Sequence, residues 1–193
     1  MLKVLSTILI IVIWVIPSRS FASSSDHNPW PEIRKQRIEQ LLPNALNQAK
    51  VDAWMVVCRE NNNDPLADHV GCENAGSTAV FLFYLDKTGF HSVAFSPSSE
   101  STALSEQNIL HKVVSVPRSQ STITRAAQFI QQNNFERIAV NSSTQNAQAD
   151  GLSYSQRLAI EKALGEPFSK KLTSSEEVVY QWLSIKLPQE VEI

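Results

Sequence analysis

Apolar and polar positions alternate along the chain in blocks typical of an α/β domain. Two apolar runs, Ala53 to Cys58 and Thr78 to Leu85, are rich in β-branched and aromatic residues, which predicts buried strands. Between them lies a polar segment, Arg59 to Gly76, dense in Asn, Asp, Glu, Arg and His. We call this segment the polar loop. Long loops inside compact domains are usually functional or disordered, so the polar loop is the first candidate for binding.

The rest of the chain alternates between helical and strand patterns. A helix is predicted from Trp30-Pro31, and Pro43 either breaks or restarts it. The tight-turn sequence Asp86-Lys87-Thr88-Gly89 predicts a hairpin between the second apolar run and a strand over Phe90 to Phe95. The later predicted elements are a helix over Pro97 to Asn108, a strand over His111 to Val116, a helix from Ser121 through Asn133, a strand over Arg137 to Val140, a helix from Ser153 to Leu164, a strand over Lys170 to Thr173, and a helix opened by the capping-box spacing Ser174-Ser175-Glu176-Glu177.

This order predicts the fold class α/β, with a mixed β-sheet that carries helices on both faces. The two apolar runs are predicted to be its central strands. Pro188 to Ile193 reads as the beginning of a helix, which predicts a continuation beyond it.

The first residues predict export. Met1 to Ala22 contains a lysine, an apolar run from Val4 to Ile16, and a small-x-small cleavage pattern at Ser20-Phe21-Ala22. An uncleaved anchor is the alternative interpretation. Cleavage would leave a periplasmic or secreted protein. It would consist of a flexible leader over residues 23–29 and a domain over residues 30–187.

Charge excludes one class of partner. Removal of Lys3 and Arg19 leaves 15 of the 17 basic residues against 19 acidic ones, a net charge of −4. Nucleic-acid binding needs a basic stripe, and the sequence has none. It also has no basic block for a membrane surface, so no membrane association is expected after signal cleavage.

The two cysteines, Cys58 and Cys72, bracket most of the polar loop. In an oxidising compartment they either form a disulfide or remain separate buried thiols. A zinc site that adds His69 is disfavoured, because the spacing lacks a paired C-x2-C and a fourth ligand.

Catalytic chemistry is incomplete in the sequence. His69 is near Asp64, Asp68 and Glu73, which could form an acid/base group, but Asp64-Pro65 equally favours a hydrogen-bonded turn. The sequence contains no G-x-S-x-G elbow, phosphate loop, dinucleotide fingerprint or H-E-x-x-H motif.

Several strings occur in an order that resembles a known family: VDAW, RENNNDPL, HVG, DGLS, SSEE and SIKLPQEVEI. Together they are similar to the N-terminal, non-catalytic domain of the pita-bread metallopeptidases, which include creatinase, prolidase and the Xaa-Pro aminopeptidases. The resemblance covers Glu32 to Ile193 and implies a ribonuclease-H-like α/β fold. Cys72 departs from the pattern, which has glycine there.

The resemblance implies a domain that shapes substrate access and dimerisation, with Arg59, Glu60, Asp64 and His69 as candidates to contact substrate or a partner protomer. The family's two metal ions, of manganese, cobalt or zinc type, are held by two Asp, one His and two Glu in a catalytic domain, and no residue here matches them. We therefore expect no catalytic residue and no cofactor in this chain, and a peptide substrate only beside a catalytic domain. The alternatives are a stand-alone exported binding module that uses the polar loop, and a decayed gene product.

Overall fold

A computed structural model describes residues 28–191. The predicted signal segment Met1 to Ala22, residues 23–27 of the leader and the last two residues of the chain lie outside this range. Within residues 28–191, no helix has both the length and the apolar character that a membrane crossing requires.

The elements follow one another with short connections, apart from the polar loop. In chain order they are α1 (Trp30–Gln36), a π-helical turn (Arg37–Leu41), α2 (Leu42–Ala49), β1 (Ala53–Cys58), α3 (Ala67–Val70), β2 (Ala79–Asp86), β3 (Gly89–Pro97), α4 (Ser101–Glu106), β4 (Lys112–Val116), α5 (Thr122–Asn133), β5 (Ile138–Val140), a 3₁₀ turn (Ala147–Ala149), α6 (Tyr154–Leu164), a 3₁₀ turn (Phe168–Lys171), β6 (Leu172–Ser174), α7 (Glu176–Leu183) and α8 (Pro188–Val191).

The six strands form one mixed sheet in the order β4-β3-β2-β1-β5-β6. β2 is antiparallel to both of its neighbours, and the other adjacent pairs are parallel. The predicted mixed sheet is therefore confirmed, with β1 and β2 at its centre. The predicted hairpin is also present, since Asp86 is paired with Gly89 where β2 turns into β3.

Both faces of the sheet are covered by helices, as predicted. Every residue of β1 is buried, and side chains alternate between two cores. One core contains Trp54 and Val56 with residues of α2 and α7, and the other contains Met55 and Val57 with residues of α5 and α6. A strand buried on both faces explains the unbroken apolar run AWMVVC.

Three predicted elements differ from the structure. The helix predicted over Pro97 to Asn108 is confined to α4, because Pro97 is still paired with Val116 in the sheet and residues 98–100 form a turn. The strand predicted over Lys170 to Thr173 begins only at Leu172, after a 3₁₀ turn. The capping box predicted at Ser174 to Glu177 does not form, because the Ser174 hydroxyl accepts from the Glu176 N–H and the residue at the N-cap is Ser175, whose hydroxyl donates to Asn141.

The first helix runs on through Pro43 rather than breaking there. Pro43 occupies the first turn of α2, a position where its missing N–H costs little, and the π-helical turn connects the two helices. The helix ends at Lys50, which has a left-handed backbone with φ of 54°.

Candidate functional site

The polar loop lies at the edge of the sheet where ligands bind in open α/β folds. Five of the six strands run in one direction, so their carboxyl ends share one edge, and the polar loop leaves β1 there. We call this the carboxyl edge. It is formed by the ends of β1, β3, β4, β5 and β6, at Cys58, Pro97, Val116, Val140 and Ser174.

A buried polar network fills the middle of the carboxyl edge. Asn141 follows β5 directly and is 1% exposed. Its Oδ1 accepts hydrogen bonds from Trp54 Nε1, at 2.7 Å, and from the Ser175 hydroxyl, while its Nδ2 donates to Asp64 Oδ2 at 2.7 Å. We call this the Asn141 network. It joins β1, the polar loop, β5 and the start of α7.

Asp64 therefore points into the protein, which differs from its expected contact with substrate or a partner. It is 3% exposed, and its second oxygen accepts a hydrogen bond from the Leu66 N–H at 2.9 Å. Burial raises the pKa of Asp64, against the effect of these hydrogen bonds from Leu66 and Asn141. The carboxylate also lies so close to Gly151 that any side-chain carbon there would collide with it. Asp64 holds the loop in place.

Arg59 and Glu60 are both exposed at the start of the polar loop. The loop beside them is fixed by Asn62, whose amide donates to Gln156 Oε1 at 3.1 Å, and by Asn63, which donates to the Glu73 carbonyl at 3.1 Å. The two charged side chains therefore project from an anchored segment and are accessible to a binding partner.

His69 is half-buried between two tryptophan rings. The hydrogen bonds of the Asp64 carboxylate come from Leu66 and Asn141 instead. The His69 ring meets those of Trp30 and Trp182 edge-on, with centroids 5.5 and 6.0 Å apart. Its Nδ1 is buried with no hydrogen-bond partner among residues 28–191. Burial and then the positive charge of Arg37 lower the pKa of His69. The acid/base pairing of His69 with Asp64 weighed from the sequence is not formed.

The lowered pKa of His69 predicts that stability falls in mild acid. The unfolded chain takes up a proton near the ordinary pKa of 6.5, whereas folded His69 resists it. Stability is therefore full above pH 6.5 and declines as the pH falls towards the folded pKa. Urea unfolding at a series of pH values measures this.

The matched comparison is His69→Gln, which cannot titrate. Asp64 acts in the opposite direction, because its raised pKa favours the folded state on acidification. Only the difference in the pH dependence of stability between wild type and His69→Gln isolates the contribution of His69. An identical pH dependence in the two proteins would contradict the assignment.

Cys58 and Cys72 form a disulfide in the structure. Their Cα atoms are 6.1 Å apart, and both residues are buried in the core beside β1. The sulfurs are therefore not available as zinc ligands, and the bond ties the far end of α3 to the end of β1.

Replacing both cysteines with alanine is expected to cost about 3 kcal/mol of stability, because the closed loop restricts the unfolded chain. The melting temperature should fall by about 6 to 12 °C. Scanning calorimetry in oxidising buffer tests this, and the double variant should be insensitive to reductant. Equal melting temperatures for the two proteins would show that the bond contributes nothing.

Two buried arginines on the first helix are important residues that sequence reasoning missed. Arg34 donates to Asp68 at 3.1 Å and to Glu73 at 2.9 Å, which joins α1 to the polar loop. Arg37 reaches the other end of the chain, where it binds the segment after α7. Both lie on the helix face that also carries buried Ile33 and Ile38.

The Arg37 side chain is 1% exposed and holds the segment that follows α7. It donates to the carbonyls of Trp182, at 2.7 Å, and Ile185, at 3.0 Å, and to Glu190 Oε2 at 2.7 Å. Burial alone would raise the pKa of Glu190, but hydrogen bonds from the Leu187 N–H and Arg37 lower it overall. We call this group of contacts the Arg37 junction. It holds α8 against α7 and the first helix.

The described part of the chain does not fit a two-metal site. Within residues 28–191, no group of three or more His, Cys, Asp or Glu side chains is placed to hold a metal ion. Both oxygens of the buried Asp64 carboxylate accept hydrogen bonds, from Asn141 and from the Leu66 N–H, so they are satisfied without a cation.

No protein-family model matches the sequence, and neither does any curated protein. Solved structures do match. The chain superposes on an Xaa-Pro dipeptidase from Bacillus anthracis with a TM-score of 0.55 and 18% identity, covering 83% of this chain and 38% of that one. For an X-Pro aminopeptidase from Thermotoga maritima the TM-score is 0.57 at 16% identity, with 77% and 38% covered. For a proline dipeptidase chain from Streptococcus pneumoniae it is 0.55 at 16% identity, with 77% and 98% covered.

The resemblance drawn from the sequence is thus confirmed at the level of fold. This chain has the α/β architecture of a unit found in Xaa-Pro peptidases. It spans only 38% of the length of the Bacillus and Thermotoga chains.

Proposed function

We propose that this chain is the non-catalytic N-terminal domain of an exported metallopeptidase of the Xaa-Pro aminopeptidase or prolidase type. Its role is to position a catalytic domain, to shape substrate access and to contribute to a homodimer. The shared fold supports the proposal. The sequence resemblance, which is to the N-terminal domain of the family, supports the placement of this chain before a catalytic domain. Export rests on the signal pattern of residues 1–22.

The Arg37 junction is the observation that carries this proposal. A domain that places its neighbour needs a chain exit with a fixed direction. Here a buried guanidinium holds the last turn of α7 and the Glu190 carboxylate of α8 together. The Trp182 indole N–H donates back to the Arg37 carbonyl at 3.1 Å, which completes a two-way connection.

In this proposal Arg59 and Glu60 are the residues that meet substrate or a partner protomer, since they project from the carboxyl edge. The metal ions, of manganese, cobalt or zinc type, would be bound by the catalytic domain and supply its hydrolytic chemistry. Asp64 and His69 take structural roles in holding the polar loop.

An activity assay tests the proposal. The chain from Ser23 is purified and incubated with manganese and an Xaa-Pro dipeptide, with the Thermotoga X-Pro aminopeptidase as positive control. We expect no turnover from this chain. Reading the coding sequence past Ile193 is the companion observation, and a continuation with two Asp, one His and two Glu metal ligands supports the proposal. Turnover that co-purifies with the chain through several columns would overturn it.

A stand-alone exported binding module is the second candidate. It is favoured by one observation, namely that Arg59 and Glu60 are exposed on a loop anchored by a disulfide and by Asn62 and Asn63. The double charge reversal Arg59→Glu/Glu60→Lys separates the two candidates. Loss of a homodimer in sedimentation experiments supports the peptidase-domain proposal, and loss of binding to an unrelated ligand with an unchanged oligomeric state supports the module.

A further inference from the structure

A cavity beside the disulfide is the feature that neither the fold nor the proposed function uses. It has a volume of about 160 Å³ and lies between the end of the polar loop, the sheet and α4. An apolar cavity of about 150 Å³ is large enough to bind benzene. The cavity therefore has room for a ligand group of about that size. Its lining residues are Gly71, Cys72, Asn74, Ala75, Ala79, Phe81, Ser96, Ser99, Glu100, Ala103, Leu104 and Gln107.

The floor and one wall of the cavity are apolar. Phe81 and Ala79 of β2 form the floor and are buried in the core, and Leu104 of α4 packs against the same core. A water molecule in a cavity needs two to four polar partners, and beside this floor there is only the Ser96 hydroxyl of β3, which donates to the Pro97 carbonyl. The deep part of the cavity thus favours an apolar group.

The mouth of the cavity offers hydrogen-bond acceptors. Glu100 accepts a hydrogen bond from the Ser77 N–H at 3.0 Å with one carboxylate oxygen. Gln107 Oε1 is buried and has no hydrogen-bond partner among residues 28–191. Gln107 is one of the residues that line the cavity. An unpaired buried acceptor is costly, and a ligand N–H would remove that cost.

The charge of the lining residues determines which class of ligand the cavity favours. Among the described residues that line the cavity, Glu100 alone is charged. Arg34 is close to Gly71, but its guanidinium is already paired with Asp68 and Glu73. The cavity therefore offers a negative charge and a neutral acceptor over an apolar floor, which favours a cation and disfavours an anion.

We propose that this cavity binds a small primary ammonium ion that carries an apolar group about the size of a benzene ring. The ring lies on Phe81 and Ala79, and the ammonium donates to Glu100 and to Gln107 Oε1. This site is separate from Arg59 and Glu60, and its existence does not depend on the proposed peptidase role.

Calorimetric titration of the full chain with benzylamine, benzyl alcohol and benzoate at neutral pH tests the proposal. Benzylammonium is expected to bind saturably and about tenfold more tightly than benzyl alcohol, because only the cation gains the charge-assisted hydrogen bond. Benzoate is expected not to bind. Equal binding of benzoate, or no saturable binding of benzylamine, would overturn the proposal.

Three variants locate the site. Glu100→Gln keeps an acceptor for the Ser77 N–H but removes the charge, and should weaken benzylammonium binding about tenfold. Ala103→Trp, at an exposed position on α4, should fill the mouth and abolish binding without altering the core. Glu106→Gln removes a charge from the same helix outside the cavity and should leave binding unchanged. Binding that survives both Glu100→Gln and Ala103→Trp in folded protein would place the ligand elsewhere and refute the site.

Discussion

Replacing Asn141 with alanine is expected to lower the free energy of unfolding by about 3 to 5 kcal/mol. The side chain accepts from Trp54 and Ser175 and donates to the Asp64 carboxylate, all inside the protein. Alanine leaves two buried donors without acceptors and a buried carboxylate with only the Leu66 N–H. Urea unfolding followed by Trp fluorescence measures the loss.

The matched control is Asn63→Ala, which removes an exposed amide from the polar loop and should cost less than about 1 kcal/mol. Adding Asp64→Ala to Asn141→Ala should cost less than the sum of the two single changes, because the carboxylate left unpaired is removed with its partner. Strict additivity would show that Asn141 and Asp64 do not depend on each other.

Replacing Arg37 with methionine is expected to cost about 3 to 5 kcal/mol and to release α8. Methionine keeps the bulk of the arginine stem, so the change isolates the guanidinium. Glu190, whose side chain is 11% exposed, loses its partner, and the carbonyls of Trp182 and Ile185 lose their donor. Denaturation gives the free energy, and limited proteolysis after Leu183 reports the release of α8.

Arg157→Met is the matched control, because Arg157 pairs with Glu161 on the partly exposed side of α6. Such surface pairs contribute little, so this change should cost less than about 0.5 kcal/mol. Similar losses of unfolding free energy in the two variants, or an unchanged proteolysis pattern in Arg37→Met, would show that the Arg37 junction does not hold α8 in place.

The architecture could be predicted from the sequence because local signals agree with one another. The unbroken apolar run of β1, the turn after Asp86 and the helical spacing of α5 each indicate their element without help from the rest of the chain. Their order gives a mixed α/β sheet. The end of β3 was misplaced because Pro97, which usually reads as a helix start, pairs with Val116 across the sheet.

The site was harder to predict because its polar residues act over long sequence separations. Asp64 looked like a surface residue of a polar loop, yet its partner Asn141 lies 77 positions away. One signal was present: Trp54 in a central strand needs an acceptor for its indole N–H, and Asn141 directly follows a neighbouring strand. Arg34 and Arg37 carried a second signal, since charged residues on an apolar helix face are almost never buried unless they are paired.

The polar loop thus combines two functions in one segment. Its interior residues, Asp64 and Cys72, attach it to the sheet, and its exposed residues, Arg59 and Glu60, are the ones that we propose contact a partner. Rigid attachment lowers the entropy cost of binding at such a loop. The same logic applies at the other end of the chain, where Arg37 fixes the direction of α8.

Amide hydrogen exchange at Leu187 tests the central claim that Arg37 fixes the direction of the segment after α7. The Leu187 N–H donates to Glu190 Oε2 at 2.7 Å, inside the Arg37 junction. We expect this amide to exchange at least about a hundredfold more slowly than in an unstructured chain in the wild type, and to lose that protection in Arg37→Met while the amides of β1 keep theirs. A Leu187 amide that exchanges in the wild-type protein as fast as in an unstructured chain would contradict the account.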